Sequence, residues 1–151
     1  MGRIDFYHLQ KQTLEEILPK LLTKAYETGR RILVKIGTPE RVEFVNNALW
    51  TFDEESFLPH GSKKDGFAQQ QPIWLTSEDD NANQAEYLFL VDGAEISADI
   101  AAKFERLFNV FDGNSTESLQ QARNLWKTYK EAGFEMHYWQ QNNQGRWENK
   151  L

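Results

Sequence analysis

Two stretches decide how this chain folds: Tyr87-Leu88-Phe89-Leu90-Val91-Asp92-Gly93 and Leu107-Phe108-Asn109-Val110-Phe111-Asp112-Gly113. Each is a short, largely apolar run closed by Asp-Gly. A run without polar alternation marks a strand covered on both faces, as in a parallel sheet. Ser97 to Phe104, between them, has the composition and length of a short helix. The pair therefore reads as consecutive parallel strands joined by a crossover.

The same alternation extends towards the N-terminus. Asp5 to Leu9 reads as a first strand, and Leu14, Ile17, Leu18, Leu21, Leu22 and Ala25 line one face of a helix. Thr13 with Glu16 forms a capping box for it, and Gly29 a stop. Pro19 removes a helical hydrogen bond and crowds the preceding turn, which predicts a kink or a later start. Arg31 to Gly37 is a second buried strand, and Thr38 followed by Pro39 starts a helix whose stripe is Val42, Val45 and Leu49. Residues 50 to 71 have loop composition, Pro72 to Leu75 reads as a short strand, and Ser77 to Gln84 as a polar loop or helical turn.

Towards the C-terminus, Asn114 with Glu117 offers a capping box for a long helix from Ser115 to Ala132, stopped by Gly133. Phe134 to Gln140 then alternates Phe134, Met136 and Tyr138 against Glu135, His137 and Trp139, as a final strand does. The expected fold class is a single α/β domain over residues 1–141, a mostly parallel sheet flanked by helices. Residues 142–151 form a polar tail that is expected to be loosely held.

Composition sets bounds on function. The 151 residues are 40% hydrophobic and 13% aromatic, too rich in large apolar groups for a disordered chain. A net charge of -6 argues against direct nucleic-acid binding, which draws its affinity from cations that neutralise phosphates. With no cysteine there is no disulfide, thiolate nucleophile or Cys-based zinc site. The N-terminus does not read as a leader, and the longest apolar run, Tyr87 to Val91, is far below the roughly 20 residues of a membrane span. A soluble cytoplasmic protein is expected.

Signatures of catalysis are missing. There is no GxxxxGK[ST], no GxGxxG and no GxSxG, so the sheet has no phosphate-binding loop and no nucleophile elbow. Lys63 and Lys64 between Gly61 and Gly66 read as a solvated turn. His8, His60 and His137 lack ligand spacing, and no metal or cofactor is expected. The alternative from another class is a nucleotide-dependent enzyme using Asp92 and Asp112 at the strand ends, where open α/β sheets place ligands.

Charge is uneven along the chain. Residues 76–118 carry 2 basic and 10 acidic groups, and residues 119–151 carry 5 and 3. On the last helix Leu119, Ala122, Trp126 and Tyr129 form an apolar stripe beside the cations Arg123, Lys127 and Lys130. Core packing with a solvated flank is the ordinary explanation of such a pattern. In an acidic protein, aromatics bordering a row of cations also describe a pocket for an acidic peptide with an aromatic end. A second cluster, Ala48-Leu49-Trp50 with Ser56-Phe57-Leu58-Pro59-His60, puts large apolar groups into a loop-like segment, as a partner-docking patch would.

In order and spacing, the sequence resembles the chi subunit family of the bacterial DNA polymerase III holoenzyme. The resemblance is carried by Phe6-Tyr7, Gly29-Arg30-Arg31-Ile32-Leu33-Val34, Ala48-Leu49-Trp50, Ser56-Phe57-Leu58-Pro59-His60, Pro72-Ile73, and Ala122-Arg123 through Trp126-Lys127, Tyr129 and Ala132-Gly133-Phe134. It implies a Rossmann-like fold and a non-catalytic adaptor that links the clamp loader to the acidic C-terminal tail of the single-stranded DNA-binding protein. That tail ends in a phenylalanine carboxylate. By motif position, Arg123, Trp126 and Lys127, with Lys130 on the same stripe, are implied to bind it. Trp126 stands where the family usually has tyrosine, and Leu119 where its best-known members are basic. Trp50, Phe57, Pro59 and His60 are implied to contact the psi subunit or another clamp-loader subunit. An adaptor of this fold serving a DNA-repair helicase is a further alternative.

Overall fold

The computed structural model describes residues 2–51, 58–63, 66–79 and 81–150. In chain order the elements are β1 (Arg3–Leu9), α1 (Leu14–Tyr26), β2 (Ile32–Ile36), α2 (Pro39–Thr51), β3 (Gly61–Ser62), β4 (Ile73–Thr76), β5 (Tyr87–Val91), α3 (Ala98–Ala101), β6 (Arg106–Asp112), α4 (Thr116–Glu131), β7 (Glu135–Gln141) and β8 (Trp147–Asn149). The strands form one sheet in the order β3-β4-β2-β5-β6-β1-β7-β8. Every pairing is parallel except that of β7 with β8. This is the mixed α/β, mostly parallel, Rossmann-like architecture expected of the sequence.

Two apolar layers sandwich the sheet. On one face Tyr7, Leu9, Val34, Phe89 and Phe108 pack with Ile17, Leu18 and Leu22 of α1 and Val42, Val45 and Leu49 of α2. On the other, Ile4, Phe6, Leu88, Leu90 and Phe111 pack with Ala101 of α3 and Ala122, Leu125 and Tyr129 of α4. Parallel crossovers demand helices on both faces, which is why β2 and β5 are apolar at nearly every position. Tyr129 is fully buried in the second layer, its hydroxyl donating to the Ile96 carbonyl at 2.7 Å.

Several boundaries differ from expectation for identifiable reasons. The Thr13/Glu16 capping box is present, and α1 starts at Leu14 and runs on through Pro19 rather than starting later. Thr38 caps α2 as expected, accepting the Arg41 N–H on Oγ1 at 3.4 Å. The α4 cap is Ser115, which accepts from the Ser118 N–H, and not Asn114 paired with Glu117. Asn114 is drawn one residue back into the β6 turn, where its N–H meets Asp112 Oδ1 at 2.9 Å and its amide donates to the Gln10 carbonyl. The helix expected from Ser97 to Phe104 is the four-residue α3. The irregular segment contributes a two-residue edge strand, β3, beside β4.

The expectation of a loosely held tail is corrected: residues 147–149 form β8 on the edge of β7. Trp147 lies edge-on to Tyr7, ring centroids 5.1 Å apart, and Tyr7 stacks on Trp139. Polar composition hid a strand whose single aromatic supplies the packing. Trp147 is only half-buried, so Trp147→Ala should cost about 2 kcal/mol, below the 3 to 5 kcal/mol of a fully buried large-to-small change. Urea denaturation of the variant beside the parent measures it.

At the N-terminal ends of the central strands sits a buried carboxylate. Asp5 on β1 has 0% exposure. It receives Arg3 Nε at 2.8 Å and Arg3 Nη2 at 3.0 Å, Arg106 Nη2 at 3.1 Å and the Trp139 indole N–H at 2.8 Å. Burial alone would raise its pKa, but the hydrogen bonds from Arg3, Arg106 and Trp139 more than offset that and hold it below the ordinary carboxylate range. The cluster ties the starts of β1 and β6 to the middle of β7.

Candidate functional site: an apolar pocket beneath a row of cations

Parallel pairing of β1 with both β6 and β7 sets Phe6, His8, Phe111 and Tyr138 on the face that α4 covers. The stripe on α4 descends onto them. Trp126 meets Phe6 edge-on at 5.3 Å and Tyr138 at 5.8 Å. His8 lies 5.0 Å from the Phe111 ring. Between helix and sheet these side chains leave a pocket of about 350 Å³ lined by His8, Phe111, Leu119, Ala122, Arg123, Trp126 and Tyr138. Its volume is at the small end of ligand sites, suited to one ring rather than an extended cofactor.

The polar groups of this lining are three. Arg123 is exposed on α4, one turn before exposed Lys127, and Lys130 continues the row. Arg3, Arg30, Arg41 and Arg106 are ion-paired within the molecule, and Arg31 donates to main-chain carbonyls. Arg123, Lys127 and Lys130 make no ion pair among the described residues, so their charge remains available to a ligand. His8 Nδ1 lies 2.5 Å from the Tyr138 hydroxyl. Burial pushes the His8 pKa down against a smaller opposing pull from Asp112, which keeps the ring neutral near pH 7. Burial raises the Tyr138 pKa, partly countered by the positive charge of Arg123, so its hydroxyl stays protonated.

Of the residues singled out in the sequence, Arg123 and Trp126 line this pocket. Lys127 and Lys130 do not line the pocket but extend the cationic row beside it. His8, Phe111 and Tyr138 were missed as pocket residues because strand order alone brings β1, β6 and β7 together. Their one sequence signal is alternation, which puts Tyr138 in register with Phe6 and His8 with Phe111.

The second predicted patch is partly described. Phe57 lies outside the described residues. Trp50 is 48% exposed at the end of α2, and Pro59 is half-buried. His60 differs from a surface contact: at 4% exposure it sits beneath Trp50, ring centroids 4.1 Å apart. Its Nδ1 lies 2.6 Å from the Leu58 carbonyl and its Nε2 3.4 Å from that of Asn46. His60 therefore supports the patch from below.

A larger cavity, about 640 Å³, is the crevice at the carboxyl ends of β1, β5 and β6. The two strand-end aspartates are already engaged there. Asp92 pairs with Arg41, Oδ2 to Nε at 3.0 Å, and Arg41 also binds Glu15 at 3.0 Å. Asp112 caps its own turn. Size favours the crevice, but chemistry favours the smaller pocket, whose walls are apolar and whose rim cation, Arg123, makes no ion pair among the described residues.

Comparison with known proteins matches the sequence to a family. The family described as DNA polymerase III chi subunit, HolC, matches residues 1–137. A probable DNA polymerase III subunit chi of Rickettsia prowazekii is 28% identical over 117 residues, 74% of this chain and 71% of that protein. DNA polymerase III subunit chi of Escherichia coli is 24% identical over 144 residues, 90% of this chain and 96% of that protein. No helix among the described residues is long and apolar enough to cross a membrane. With the family pattern running through β1, the crossovers, α4 and the start of β7, the chain belongs to the DNA polymerase III chi subunit family of replication accessory proteins.

Proposed function

We propose that this chain is a non-catalytic replisome adaptor in the cytoplasm, holding the acidic C-terminal tail of the single-stranded DNA-binding protein against α4. The observation that carries the proposal is the apolar pocket under Trp126 with Arg123 at its rim and Lys127 and Lys130 beside it. A terminal phenylalanine ring fills a pocket of this size, its carboxylate meets Arg123, and acidic residues before it follow the cationic row. The rest of the surface is acidic overall and repels such a peptide, which focuses it on α4. Trp50 and Pro59, at the far end of α2, supply a separate apolar surface for the psi subunit or another clamp-loader subunit.

Calorimetric titration with a peptide of about the last ten residues of the cognate single-stranded DNA-binding protein tests this. The expected result is saturable binding that weakens with added salt and is lost when the terminal phenylalanine is removed. Equal binding of the two peptides, or none of either, would contradict the proposal.

A further inference from the structure

The pocket holds a polar pair that the adaptor reading does not explain. Tyr138 Oη and His8 Nδ1 are 2.5 Å apart and share one hydrogen. His8 is 9% exposed, and its Nε2 is buried with no hydrogen-bond partner. Nε2 is pressed against the backbone of Gly113, where a Cβ would lie 2.0 Å from it. A neutral imidazole carries one N–H, so two arrangements exist. If the tyrosine donates to Nδ1, the imidazole proton is on Nε2, sealed against Gly113 with nothing to accept it. If His8 donates from Nδ1, only a lone pair is left at Nε2, and the tyrosine proton is released to point elsewhere. An orphaned buried N–H is the rarer and costlier defect. The second arrangement is favoured, and it makes Tyr138 Oη a donor facing the pocket that Arg123 also lines.

We infer that Tyr138, oriented by His8, is a specificity-determining donor that together with Arg123 reads the ligand's free C-terminal carboxylate. The inference rests on the peptide-binding reading above and adds to it. A carboxylate has two oxygens, and a guanidinium beside a neutral hydroxyl satisfies both without a second buried charge. An internal aspartate or glutamate carries the same charge, but only a C-terminal aromatic residue carries ring and carboxylate on one Cα, at the spacing set by this pocket and its rim cation. The pair therefore selects a chain end. His8 is a positioning residue: it fixes the hydroxyl and contributes no charge to the ligand.

Titration of the parent and Tyr138→Phe proteins with the tail peptide as free acid and as C-terminal amide tests this. The parent should bind the acid at least tenfold more tightly than the amide. Tyr138→Phe, which keeps the ring, should lose about tenfold for the acid, the loss of one hydrogen bond to a charged group, with little change for the amide. In protein with labelled histidine nitrogens, His8 should appear as the Nδ1–H tautomer. Undiminished discrimination by Tyr138→Phe, or an Nε2–H tautomer, would overturn the inference and leave the adaptor reading standing. Failure of the parent to bind either peptide would overturn both.

Discussion

Asp5→Ala should lower the unfolding free energy by about 3 kcal/mol at neutral pH, the lower end of the range for a broken buried ion pair. The carboxylate accepts from two guanidiniums and an indole, and beyond it Arg3 has only a long 3.8 Å pairing with exposed Glu135. The loss is held to the lower end because Arg3 and Arg106 keep 35% and 29% of their side chains in water and rehydrate when released. Chemical denaturation measures it. Asp5→Asn gives the matching pH test. A carboxylate whose folded pKa is depressed contributes stability that is fully present above its unfolded value near 3.9 and is lost as pH falls through the folded value. The stability gap between the parent and Asp5→Asn should thus be constant from neutral pH down to about 5 and close on further acidification. A gap independent of pH would show that Asp5 acts by shape and not by charge.

Arg123→Ala should weaken binding of the tail peptide tenfold to hundredfold, the about 1.5 to 3 kcal/mol of a charge-assisted contact, and flatten its salt dependence. Because Arg123 is exposed and makes no ion pair among the described residues, the variant should unfold at the parent's denaturant concentration. That separation of binding from stability distinguishes it from Trp126, which packs on Phe6 and cannot be truncated without loosening the second apolar layer. Arg146→Ala, the same charge change in the turn before β8, should leave the affinity unchanged.

What was legible in the sequence followed from local physics. Apolar runs closed by Asp-Gly marked β5 and β6, and the 3.6-residue stripe on α4 marked both its buried face and its cationic flank. What was hidden depended on pairings between distant segments. Nothing local distinguishes Tyr138 from Trp139 as the pocket residue until β7 is placed beside β1, which turns one to α4 and the other to Asp5. His60 looked like part of a surface motif because it follows Phe57-Leu58-Pro59, yet two main-chain carbonyls draw it inward. The segment 147–149 was too short and polar to read as a strand. It is ordered by an edge, β7, that offers main-chain partners to any sequence.

The central claim is that the pocket between α4 and β7 is where the acidic tail binds. The most direct test is residue-by-residue mapping by two-dimensional NMR of the isotope-labelled protein during titration with the tail peptide. Perturbations should centre on Arg123, the Trp126 indole, Lys127 and Tyr138, with His8 and Phe111 responding beneath them. Perturbations centred instead on the strand-end crevice around Asp92 and Asp112, or on Trp50 and Pro59, would contradict the account.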